Sequence, residues 1–138
     1  MKCGTDIIEI SRIKESVEKY GKSFLNRVFS DSEIEYCEQK GQAKYQHYAA
    51  RFASKEAVSK MLGTGFNGTF SWIDIEVVND EYGKPQINLY NGAKKIFEEE
   101  KLEKLTLLPM VNCPRRVLFP QQNQAFPPSL CKADGSVI

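Results

Sequence analysis

Arg51-Phe52-Ala53-Ser54-Lys55-Glu56-Ala57-Val58-Ser59-Lys60 is the stretch whose reading decides the fold. It holds neither Pro nor Gly and predicts a helix, which its flanks extend to about 44–62. At about 100° per residue, Phe52 and Ala53 lie one turn before Glu56, and Ala49 lies two turns before. Glu56 therefore falls on the small-residue face, where a carboxylate is costly unless a cation or a metal meets it. Arg51 and Lys55, four apart, share the neighbouring face, which suits a polyanion. The alternative is a solvated helix on which Glu56 pairs with Lys60 in the favoured i,i+4 order. His47, one turn before Arg51, reads as an ordinary helix residue.

The totals set the frame around this helix. A chain of 138 residues can bury a single core, and 41% apolar with 27% charged residues is the composition of a globular domain. The formal net charge of +1 gives no bulk attraction to nucleic acid, and no aromatic-basic platform stands out. No apolar run approaches a membrane span, and no secretory signal is evident, so a cytoplasmic protein is expected. Cys3, Cys37, Cys113 and Cys131 lack metal-ligand or redox-pair spacing, which points to free thiols.

Taken in order, residues 3–10 read as a short strand running into a helix. Asp6 lies between the two, either as helix cap or as a carboxylate presented at a strand end. Ile10, Ile13, Val17 and Tyr20 form one apolar helix stripe, which Gly21 ends. Over residues 11–29 the basic Arg12, Lys14, Lys19, Lys22 and Arg27 face only Glu15 and Glu18, a docking face for an acidic partner or a solvated surface. Ser30-Asp31-Ser32-Glu33 is a capping box, with Phe29 and Ile34 placed to staple it. Gly63-Thr64-Gly65 ends the central helix. Residues 71–78 alternate as a strand, 79–85 turn, 86–90 return, 92–101 form an amphipathic helix, and 104–108 start a last strand. From Pro109 onward the alternation stops. Five of the six prolines fall there, and a loose tail over 109–138 is expected after a domain over 1–108.

Gly4-Thr5-Asp6-Ile7, Arg51-Phe52-Ala53-Ser54-Lys55-Glu56-Ala57, Gly63-Thr64-Gly65, Trp72-Ile73-Asp74-Ile75-Glu76 and Gly83-Lys84-Pro85 occur in order and at close spacing. Together, over residues 3 to about 108, they resemble the holo-acyl-carrier-protein synthases, a family of 4'-phosphopantetheinyl transferases. The resemblance implies an α+β fold, helices packed on a small, mainly antiparallel sheet, and a homotrimer with active sites between subunits. It implies transfer of 4'-phosphopantetheine from coenzyme A to a serine of apo-acyl carrier protein, for fatty acid biosynthesis, with Mg²⁺ as cofactor. Asp6 and Glu56 match the family's metal carboxylates, and Glu56 and Lys60 its catalytic positions. Arg51, Lys55, Lys60, Gly63 and Gly65 match coenzyme A contacts, and Arg12, Phe24 and Arg27 match the carrier-protein docking positions.

Two departures qualify the match. The amino end is about two residues short of the family pattern. At the carboxyl end the family's Ser-His segment and alternating final strand have no counterpart after Leu107, so the last strand is expected to be missing. A reading-frame shift would produce so abrupt a change, and a relative that binds coenzyme A or carrier protein without turnover is the alternative function.

Overall fold

The computed structural model describes residues 6–63, 66, 68–102 and 109–112. Strand β1, Asp6–Glu9, runs directly into α1, Ile10–Tyr20. The residue that caps α1 is Glu9, in extended conformation and without a side-chain capping bond, so Asp6 is a strand residue and not a helix cap. Helix α1 buries Ile13 and Val17, while Tyr20 is 57% exposed, so its apolar stripe stops one turn early. Gly21, at φ 52°, separates α1 from α2, Lys22–Val28. The capping box forms as expected. Ser30 Oγ accepts the Glu33 N–H at 3.4 Å, Glu33 Oε2 accepts the Ser30 N–H at 2.8 Å, and α3 runs over Asp31–Glu38.

Helix α4 spans Lys44–Leu62 and stops at Gly63, whose left-handed backbone (φ 81°) directs its N–H to the carbonyls of Ser59 and Lys60. A 3₁₀ turn, Trp72–Asp74, leads into β2, Ile75–Asn79, which pairs antiparallel with β3, Pro85–Leu89. Asp80 shapes the intervening turn by accepting the backbone N–H groups of Tyr82 and Lys84. Helix α5, Asn91–Glu99, starts where Gly92 lets the chain press against Thr69; a Cβ there would lie 2.1 Å from the Thr69 carbonyl oxygen.

The carboxyl end departs from expectation. Pro109–Asn112 form β4, which pairs parallel with β1 from Asp6↔Pro109 to Glu9↔Asn112. Proline is tolerated because it occupies the first position of the strand. A strand therefore does follow residue 108, where the last strand was expected to be missing. The expected strand start over 104–108 and the tail from 113 lie outside the described residues. The class is α+β, with the described strands divided into one parallel and one antiparallel pair.

Helix α4 is the axis of the fold. Its first half packs through Tyr48, Ala49 and Ala53 into a cluster with Ile8, Ile13, Val17, Leu25, Val28 and Phe29. Its second half packs through Val58, Met61 and Leu62 with Phe70, Ile75 and Ala93. Phe29 and Ile34, the proposed staple, both belong to the first cluster. Strands β1 and β4, helices α1 and α3 and strand β2 all lie against α4.

Candidate active site

Between Tyr48 and Leu62, every residue of α4 is buried except Phe52, Glu56 and Lys60. These lie four apart, so they form one line along the helix. A helix enclosed on all other sides thus reaches the surface along a single stripe, and the stripe carries a ring, a carboxylate and an ammonium. Phe52 and Glu56 open into a groove of about 250 Å³ lined also by Ile8, Arg12, Ile13, Ser16 and Phe24. Phe52 stacks on Trp72 with ring centroids 4.7 Å apart, and Trp72 stacks in turn on Phe66 at 3.8 Å.

Several expected site residues converge here. Glu56, Arg12 and Phe24 share the one groove, although the sequence matched them to separate roles. Lys60 is exposed one turn further along the stripe. Arg27 is exposed in the last turn of α2 and does not line the groove. Strand β1, which carries Asp6, lies against α4, which carries Glu56. Gly63 follows the stripe, and Gly65 lies outside the described residues.

Arg51 stands about 140° round the helix from Glu56 and serves a second hollow. Its guanidinium lies 4.1 Å from the Tyr36 ring, Nη2 donates to Asn79 Oδ1 at 2.7 Å, and the buried Nε has no hydrogen-bond partner among the described residues. Lys40 covers the same ring at 4.4 Å. Together with Asn79, Asp80 and Gly83 these residues line a cleft of about 480 Å³. His47 packs edge-on to Tyr36, and burial, with Arg51 and Lys40 nearby, holds its pKa below the usual histidine value.

Lys55 is not where the sequence put it. Its side chain is wholly buried, and Nζ donates to Glu33 Oε2 at 2.7 Å, to the Val28 carbonyl at 2.7 Å and to the Trp72 carbonyl at 3.1 Å. An ammonium has three donors, and all three are engaged, so Lys55 cannot also hold a coenzyme phosphate. Burial lowers its pKa, and the Glu33 carboxylate opposes that shift.

The sequence quoted Glu76 without assigning it a role. It accepts from Ser32 Oγ at 2.6 Å, Ser30 Oγ at 2.7 Å and Tyr90 Oη at 2.9 Å. Burial alone would raise its pKa; these bonds and one from Asn88 outweigh burial and bring it down to about 2. Glu76 therefore ties β2 to the start of α3. Asp74 is structural too, accepting from the Ser71 N–H and from Asn91 Nδ2, each at 2.8 Å. A capping motif was the only sequence signal for any of these partners.

Among the described residues no group of three or more His, Cys, Asp or Glu side chains gathers as a metal centre. The Asp6 and Glu56 pair would be an all-oxygen donor set, suited to a hard cation that completes its shell with water or substrate oxygens. Among the same residues no helix is long and apolar enough to cross a membrane.

Comparison with known proteins identifies the family. The family model of the 4'-phosphopantetheinyl transferase superfamily matches residues 2–112. A holo-acyl-carrier-protein synthase of Ruminiclostridium cellulolyticum is 49% identical over 98 residues, covering 71% of this chain and 73% of the relative. The crystal structure of the holo-acyl-carrier-protein synthase from Neisseria meningitidis superposes with a TM-score of 0.66 at 33% identity, covering 75% of this chain and 82% of that one. The Helicobacter pylori enzyme, crystallised in complex with coenzyme A, superposes with a TM-score of 0.62 at 34% identity, covering 70% and 80%.

Proposed function

The chain belongs to the 4'-phosphopantetheinyl transferase superfamily, and on that premise we propose that it acts as a holo-acyl-carrier-protein synthase. It transfers the 4'-phosphopantetheine group of coenzyme A to a serine hydroxyl of apo-acyl carrier protein and releases adenosine 3',5'-bisphosphate. The observation that carries this reading is the Phe52-Glu56-Lys60 stripe, whose Phe52 and Glu56 open into a groove shared with Arg12 and Phe24 while Lys60 lies exposed one turn further on. A carboxylate, an exposed cation and a basic, aromatic docking wall stand together where an acidic carrier protein would present its serine.

Phosphoryl transfer of this kind depends on positioning and charge neutralisation. Asp6 and Glu56 are the proposed ligands of Mg²⁺, which when bound neutralises and polarises the pyrophosphate. Glu56 accepts the serine proton, directly or through water. Lys60 supports charge developing on the leaving phosphate, and Arg51, in its cleft, meets coenzyme A phosphate. Gly63 gives the nucleotide close access to backbone, a role the family resemblance extends to Gly65. Arg12 and Phe24, with Arg27 beyond the groove, dock the carrier protein.

A homotrimer with shared sites is part of this reading. The Arg51 cleft and the Glu56 groove lie on different sides of α4, so one copy's cleft set beside another's groove would gather the whole constellation. The cytoplasm, as the compartment of fatty acid synthesis, suits a chain whose Cys37 is a buried free thiol with its pKa raised to about 12 by burial.

Mass spectrometry of apo-acyl carrier protein incubated with coenzyme A and Mg²⁺ tests the proposal. A phosphopantetheine mass gain is expected, and Glu56→Gln or Asp6→Asn should remove it. A folded wild-type chain that binds coenzyme A without producing that gain would overturn the enzyme reading in favour of a non-catalytic relative.

A further inference from the structure

We propose that the buried Lys55–Glu33 pair is a positioning device that fixes the rotation of α4 and so aims the Glu56 carboxylate into its groove. The inference rests on the transferase reading above and assigns a role to residues that touch no substrate. Lys55 immediately precedes Glu56, about 100° round the helix. Its ammonium is held at one point by three acceptors from three segments: the Val28 carbonyl that ends α2, Glu33 of α3 and the Trp72 carbonyl ahead of β2. Glu33 is equally committed, accepting the Ser30 N–H at 2.8 Å through Oε2 and the Val77 N–H of β2 at 2.9 Å through Oε1. Any rotation or slide of α4 that carried Glu56 out of the groove would first break these bonds.

Stability alone does not call for such a pair. A buried ion pair replaced by well-packed apolar side chains of similar volume is often neutral or stabilising, because desolvation offsets the attraction. An apolar residue at position 55 would fill the space but supply none of the directed bonds that tie the helix to three segments at one angle. Charge with three directed bonds supplies that angle. The Trp72 residue whose carbonyl receives Lys55 also stacks on Phe52, so a single residue steadies both the buried anchor and the open stripe.

The test compares wild type with Lys55→Met and with the double variant Lys55→Met/Glu33→Gln, in which neither charge is left buried alone. Thermal unfolding, calorimetric affinity for coenzyme A, and kcat and KM on apo-acyl carrier protein are measured for each. The double variant is expected to fold cooperatively and bind coenzyme A within about threefold of wild type, with kcat about 100-fold lower, as small misplacements of a reacting group produce. The single variant is expected to lose kcat similarly and to melt earlier; if it does not fold, the double variant decides. A folded double variant with wild-type kcat would show the pair to be structural only and overturn the proposal. Coenzyme A affinity falling more than about tenfold with kcat unchanged would instead make Lys55 a ligand contact. A wild-type chain without turnover overturns the functional reading and this inference together, a result distinct from a loss confined to the variants.

Discussion

Glu76 gathers hydroxyl donors from Ser30, Ser32 and Tyr90 and thereby couples the hairpin to α3. Its pKa is near 2 in the folded chain and 4.5 in the reference state. The unfolded chain therefore takes up the proton first as pH falls. The stabilisation is complete above about pH 4.5 and drains away towards pH 2. Glu76→Gln should lower stability at pH 7 by about 2 kcal/mol, allowing for partial solvent screening, and flatten the acid limb of a denaturation series. An unchanged slope between pH 5 and 2.5 would contradict this. At this scale the sequence was only partly readable. Glu33 was visible as a capping residue because its partner Ser30 is three positions away. Its bonds to Lys55 and Val77 join distant stretches and leave no local pattern, so Lys55 read as a phosphate ligand when it is a buried anchor.

Helix α3 begins on a side chain that does two jobs, since Ser30 Oγ both caps the helix and reaches Glu76. Ser30→Ala should cost about 1–2 kcal/mol, the upper range for a lost N-cap, measurable as a lower urea midpoint at unchanged slope. The bounds of α4 were legible from sequence because Gly63 stops the helix and nothing within it breaks the period. Its stripe was less so: burial of Arg51, Lys55 and Ser59 cannot be foreseen from polarity, and Phe52 was quoted without a role. The local pattern left Asp6 open between helix cap and strand-end carboxylate, because a strand that passes straight into a helix has no turn to mark the junction. The strand at Pro109–Asn112 was hidden by its own first residue, a proline, in a segment whose alternation had stopped.

Among the described residues, the Arg51 cleft and the Glu56 groove lie on different sides of one helix, and the proposed trimer is what would unite them. Analytical ultracentrifugation should give three times the chain mass, and a monomer that still turns over would refute shared sites. Strand β4 is the other test at this scale. Truncation after residue 112 keeps the partner of β1, whereas truncation after 108 removes it and bares an edge. The shorter chain should melt lower, by roughly 4–8 °C for each kcal/mol of pairing lost. The α+β class followed from the family resemblance and helices α1, α3, α4 and α5 from periodicity and caps, whereas α2 was not foreseen, and a parallel pairing between the two ends of the described chain has no signature in either strand alone. That pairing also orders events at the ribosome. The helices can form as they emerge, but β1, which supplies Ile8 to the groove, must wait for a partner synthesised about a hundred residues later, many seconds at ordinary translation rates. A nascent chain is therefore expected to stay inactive until residues 109–112 have cleared the exit tunnel, and chaperones have that interval in which to shield the waiting strand.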